Sequence, residues 1–205
     1  MPHRLIITRN FILSGIAPLV GFTGLMRFVF WAFVGNKYAH WKAILPIGKG
    51  YWCTVKAYLS GAKSGDAPQY LGHNPVGKLM VALLFLLLSA QLVTGLVLAG
   101  TDLYFPPFGH EVAEWVTGAG EEHAKIANLK PGSKDDVDSE AYAAMRAFRK
   151  PFITTHVCVF YTLLVATFLH IAAVVITEIR EGNGLVSAMF AGKKVASKRP
   201  VDLDD

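Results

Sequence analysis

Two histidines, His156 and His170, bracket the stretch "HVCVFYTLLVATFLH", and none of the thirteen residues between them is charged. An imidazole can offer a lone pair to a metal or pass a proton along a relay. Ionisable side chains inside long apolar runs are rare and usually functional. If the run is helical, fourteen residues give about 21 Å of rise and a rotation about 40° short of four full turns. The two rings then share one face at different depths. One metal ion cannot bridge them, because ligand bonds are about 2 Å long, and the same distance excludes a hydrogen-bonded pair. Two separate cofactors, one near each end of the run, suit such a spacing. Haem fits, since its iron takes an axial imidazole and its flat apolar macrocycle packs between helices. From spacing alone, an interhelical hydrogen-bonding role and a proton relay or transporter site stand as alternatives.

The elements that must position these rings are long apolar helices. The chain has 205 residues, enough for one domain, and is 53% hydrophobic and 17% charged. A typical globular chain has roughly 45–50% and about 25%. The apolar residues gather in three runs, about 11–34, 79–99 and 152–177. Each is long enough to cross a bilayer core, which takes about 20 residues of helix. The reading is an all-α membrane protein with three transmembrane helices. The first run, "FILSGIAPLVGFTGLMRFVFWAFV", holds one charge, Arg27. It is too long in its apolar part for a secretory signal, and no small-residue cleavage site follows it.

Charge placement gives an orientation. Residues 35–78 carry Lys37, Lys42, Lys49, Lys56, Lys63 and Lys78 against one acid, Asp66. Residues 100–151 carry nine acids and six bases. The tail adds Lys193, Lys194, Lys198 and Arg199. The positive-inside rule puts 35–78 and the tail in the cytoplasm, the loop 100–151 outside and, with three spans, the N-terminus outside. No basic stripe with interleaved aromatics is present, which argues against nucleic acid. Cys53 in the inner loop and Cys158 in the third span are expected to be too far apart to pair. Within the outer loop, "HEVAEWV" reads as a short amphipathic piece at the interface. "SEAYAAMRAFRK" reads as a helix with Ser139 as N-cap, which Pro151 ends or hands over to the third span.

Four stretches carry a resemblance: "GLMRFVFWAFVGNKYAHW" (24–41), "YLGHNPVGKLM" (70–80), "LVTGL" (92–96) and "HIAAVVITEIREGNGLVSAMFAGKK" (170–194). Together with the paired histidines they resemble the family that contains bacterial cytochrome b561 and the b-type cytochrome subunit of membrane-bound nickel–iron hydrogenases. The resemblance implies a four-helix bundle with two b haems, passing electrons between a redox partner and the quinone pool. It makes the three runs similar to helices 2–4 of that bundle. It implies a cytochrome b domain over 1–194 and a polar tail over 195–205. It matches His156 to an axial ligand of the outer haem and His170 to one of the inner haem. Arg27 matches an arginine that pairs with a haem propionate, or else is a snorkelling charge at a helix end. His73, Asn74 and Pro75 match the inner turn, where His73 is structural. Gly15, Gly21 and Gly24 allow a porphyrin, or a neighbouring helix, to come close.

The sequence departs from the family pattern in one respect. The family takes opposing ligands from an earlier helix and from the start of the helix ending at the arginine. Here "NFILSGIA" has no histidine, and no helix is read before it. The expected donors are His3, or a helix from another subunit or encoded upstream. His40, His110 and His123 are read as exposed loop residues. The resulting expectation is an electron-transfer subunit in a bacterial inner membrane, in contact with lipid and quinone. The outer loop 100–151 would dock a periplasmic redox protein, hydrogenase-like or a c-type cytochrome. The rival is a haem-free membrane anchor or assembly subunit of a respiratory complex.

Overall fold

The computed structural model describes residues 26, 30, 33–34, 40–118, 126, 129–182, 184 and 198–203. Among them the only regular elements are helices: α1 (Trp41–Ile44), α2 (Tyr51–Ser64), α3 (Pro75–Leu103), α4 (Gly109–Thr117) and α5 (Ser139–Glu181). Of the first apolar run, Met26, Phe30, Phe33 and Val34 are described, and all four are helical and exposed. The rest of that run, with Arg27, lies outside the described residues, as do His3 and His123.

α3 and α5 contain the second and third apolar runs, and both are long and apolar enough to cross a membrane. Their flanks leave large apolar side chains uncovered, among them Leu86, Val93, Phe160, Leu164, Phe168 and Ile171. Such continuous apolar surface is what lipid covers. Pro151 neither ends the helix that starts at Ser139 nor opens a separate third span. α5 runs unbroken for 43 residues with Pro151 inside it, a length of about 65 Å. A proline lacks only its own N–H bond, and helices of this apolar kind absorb that loss. The N-cap is also one residue earlier than expected. The Asp138 carboxylate accepts from the backbone N–H of Glu140 (3.0 Å) and Ala141 (2.8 Å), so Ser139 is the first helical residue.

The chain divides into two compact units, Phe85–Val165 and the remainder on either side of it. In the unit Phe85–Val165, α3 and α5 run antiparallel: Gln91 and Thr94 meet His156, and eight residues beyond Thr94, Asp102 meets Arg149. The Arg149 guanidinium donates to Asp102 at 2.7 Å. α4, the expected amphipathic piece, folds its apolar face onto the first turns of α5. Val112, Val116 and Met145 are buried there, with Tyr104, Leu129, Val137 and Tyr142 packed around them. Gly109 makes the tight entry into α4 possible, because a Cβ at that position would fall 2.1 Å from the Tyr104 carbonyl carbon. Burial pushes the Tyr104 phenol above its ordinary value.

In the other unit, the turn before α3 is built from polar contacts. Asn74 caps α3 by accepting from the Gly77 N–H at 2.6 Å and donates to the Tyr58 hydroxyl at 2.8 Å. The Tyr51 hydroxyl donates to the Pro75 carbonyl at 2.5 Å. A cap of this kind is worth about 1 kcal/mol. The C-terminal stretch closes onto the same turn. Asp202 accepts from the N–H groups of Leu71 (2.6 Å) and Gly72 (2.8 Å) with its two carboxylate oxygens. Gln69 accepts from the N–H of Lys198 and of Val201. The Lys198 ammonium, hydrogen-bonded to Asp66, holds that carboxyl below the usual carboxylate range. Cys53 and Cys158 are both free and exposed.

Candidate functional site

His156 faces α3 across the residues Gln91, Thr94 and Gly95, which share one face because positions three and four apart are neighbours on a helix. The Thr94 side chain is 6% exposed. Its hydroxyl donates to the Ala90 carbonyl at 2.7 Å. A carbonyl oxygen only accepts, so the one hydroxyl proton is committed there. Thr94 Oγ1 also lies 2.8 Å from His156 Nδ1, and with its proton used it must accept. Nδ1 is therefore the protonated ring nitrogen. On the far side of the ring, the Gln91 amide Nε2 donates to His156 Nε2 at 2.8 Å. In a neutral imidazole that atom carries the lone pair, so both contacts agree on one tautomer. Gln91 Oε1, by contrast, is buried with no hydrogen-bond partner among the described residues. Gly95 lies against the ring: a Cβ there would be 3.4 Å from His156 Cε1, in van der Waals contact.

His170 lies further along α5, in the other unit, and is half-buried. Among the described residues no group of three or more His, Cys, Asp or Glu could hold a metal ion. His156 and His170 therefore stand apart from any such group among the described residues. The other described histidines do other things, and His110, expected in a loop, lies in the first turn of α4. His40 Nδ1 accepts from the Lys42 N–H at 3.3 Å and caps α1. His110 stands 3.3 Å from Glu114 with its side chain 64% exposed. His73 sits in the turn that leads into α3. Gln91, Thr94 and Gly95 had no assigned role in the sequence reading. Their signal was present, since Gln91 is the one amide in the run 79–99, but its partner depends on helix register.

A family model described as prokaryotic cytochrome b561 matches residues 11–192. The chain belongs to that family. The prokaryotic cytochrome b561 family is membrane-embedded and its haem is of the b type, which agrees with the two long apolar helices seen here. The chain is similar to the probable Ni/Fe-hydrogenase 1 B-type cytochrome subunit of Escherichia coli strain K12, at 35% identity over 96 residues, 43% of this chain and 40% of that protein. It is also similar to the probable Ni/Fe-hydrogenase B-type cytochrome subunit of Azotobacter vinelandii, at 31% identity over 109 residues, 50% of this chain and 43% of that protein. The chain spans about two fifths of the length of these cytochrome subunits. No solved structure matches it.

The residues around His156 fit a b-type haem. Haem iron takes a neutral imidazole through one ring nitrogen, while the other ring N–H is held by a nearby acceptor that fixes the tautomer and the ring plane. Thr94 is such an acceptor, and Gly95 lies against the ring. The resulting lone pair sits on Nε2, the atom that Gln91 now covers.

Proposed function

We propose that this chain is a membrane electron-transfer subunit of the cytochrome b561 type, with His156 and His170 as axial haem ligands. Bound b-type haem supplies a one-electron redox couple inside the membrane. The chain's own residues orient the imidazoles, surround the macrocycle with apolar side chains and keep water from the iron. The observation that carries the reading is the His156 ring. Its Nδ1–H is fixed by Thr94, so its lone pair is presented on Nε2 within an apolar helix pair. Two haems per chain follow from two imidazoles about 21 Å apart along one helix. Arg27 is assigned to a haem propionate. The domain extends over 1–194, with spans at about 11–34, 79–99 and 152–177 and a polar tail over 195–205. Electrons pass between the quinone pool and a periplasmic redox protein, hydrogenase-like or a c-type cytochrome, that docks on loop 100–151 in a bacterial inner membrane. The ligand opposite each histidine comes from His3, or from a helix encoded upstream or belonging to another subunit.

A reduced-minus-oxidised absorption spectrum of the purified membrane complex tests this directly. Sharp, split α-bands are expected, and low-temperature electron paramagnetic resonance should show low-spin bis-histidine iron. A featureless spectrum would leave the haem-free anchor as the better reading. That rival draws on one observation, namely that both ring nitrogens of His156 are met by protein groups.

The orientation is part of the same proposal, with residues 35–78 and the tail on the cytoplasmic face. The hydrogen bonds that the Leu71 and Gly72 N–H groups donate to Asp202 support a common side for both segments. With Cys53 and Cys158 replaced, Lys63→Cys and Leu203→Cys should react with an impermeant maleimide only from the cytoplasmic face. Labelling of either from the periplasm contradicts the orientation.

A further inference from the structure

The polar contacts to His156 come from α3; the proposed function uses Thr94 to fix the ring and gives Gln91 no part. Resting on that function, we propose that the two are opposed positioning residues of the ligand. Thr94 holds the ring in the ligating tautomer, and Gln91 keeps the ligating lone pair closed in the haem-free chain.

Thr94 is suited to its part because its hydroxyl proton is already engaged by Ala90. With the proton on the Ala90 carbonyl the hydroxyl oxygen is an acceptor toward the ring, so it favours Nδ1–H and leaves Nε2 bare. Without it, the Nδ1–H would face apolar surroundings, and the tautomer protonated on Nε2 would compete. That tautomer has no lone pair where iron must bind. Gln91 acts in the opposite sense. Its amide occupies the Nε2 lone pair, and this bond must break before Nε2 can bind anything else. A neutral hydrogen bond shifts such an equilibrium by about two- to tenfold. Gln91 Oε1, buried without a hydrogen-bond partner among the described residues, is the second observation. Burying an amide oxygen without a partner is costly. A side chain that turns away when the lone pair is taken, and finds partners for both ends of its amide, explains it.

The test uses the full chain extracted with its membrane partners, depleted of haem and titrated with ferric protoporphyrin while absorbance is followed. The titration phase that disappears in His156→Ala defines the site. In that phase Thr94→Val should weaken affinity by about tenfold or more, Thr94→Ser should restore it, and Gln91→Leu should tighten it by about two- to tenfold. Nitrogen-15 resonances of labelled histidine in the haem-free protein give a readout independent of haem. His156 should be protonated on Nδ1 in the wild type and move toward protonation on Nε2 in Thr94→Val. Wild-type affinity in both variants, shifts of the same sign, or a wild-type ring protonated on Nε2 would overturn the inference alone. A His156→Ala protein that titrates like wild type, or a wild type that takes up no haem, would overturn the ligand assignment beneath it.

Discussion

His156→Ala is expected, on the proposed assignment of one haem to each histidine, to cut the haem content of the complex from two per chain to one, and His170→Ala to remove the other. The separation makes the effects independent: about 21 Å of helix lies between the rings, so neither imidazole can replace the other at its iron. Loss of an axial ligand also changes the spin state of the iron it held. The alanine variants should therefore differ in which low-spin signal disappears as well as in the amount of haem. Each variant keeps α5 intact, since alanine favours helix at both positions. Pyridine haemochrome content per chain, measured beside electron paramagnetic resonance of oxidised membranes, decides the matter. Unchanged haem in both variants would end the assignment, and loss of both haems from either single change would show that the sites are coupled.

Met145→Ala is expected to release α4 from α5. The Met145 side chain is 1% exposed, and Val116 beside it is 0% exposed. Truncating a buried methionine to alanine costs about 2–5 kcal/mol, since the cavity adds to the lost burial. The cluster is small, so it has few other contacts over which to spread that cost. Trp115 lies on α4 and meets the Phe148 ring edge-on at 6.1 Å, which provides a local reporter. Trp115 fluorescence should lose its transition, or shift to lower denaturant, while the helicity of the apolar spans persists. Amide hydrogen exchange should rise over Gly109–Thr117. Wild-type protection of α4 in the variant would show that the cluster does not hold it.

The long apolar runs made α3 and α5 legible in the sequence, because a bilayer-length stretch without charge has few other structures open to it. α4 was legible through its amphipathic pattern. α2 was not singled out, although Tyr51, Val55 and Tyr58 mark one helical face. It begins at Gly50 with a positive φ and no side-chain cap, so the usual start signal is missing. The shift of the cap from Ser139 to Asp138 is a choice between two adjacent residues of good capping type, decided by geometry alone. The tail's contacts with Gln69, Leu71 and Gly72 join residues about 130 positions apart, and no local pattern encodes them. The same holds at His156. His156 stands out in the sequence and "LVTGL" carries part of the family resemblance, but only the register of α3 against α5 brings Thr94 and Gln91 to the two sides of one ring.

The passage of α5 through Pro151 has a mechanical side. A helix is a stiff rod, and its bending concentrates where a rung of the hydrogen-bond ladder is missing. Here the missing rung is the one Pro151 cannot donate to the Ala147 carbonyl. Arg149, tied to Asp102, lies just before that weak point, and His156 lies five residues after it. Compliance is thus confined to a short stretch between an anchored end, where α4 rests, and the imidazole. A load applied to the outer end reaches the ring as a change of tilt at a single joint, and the stiffness of that joint sets how much of it arrives.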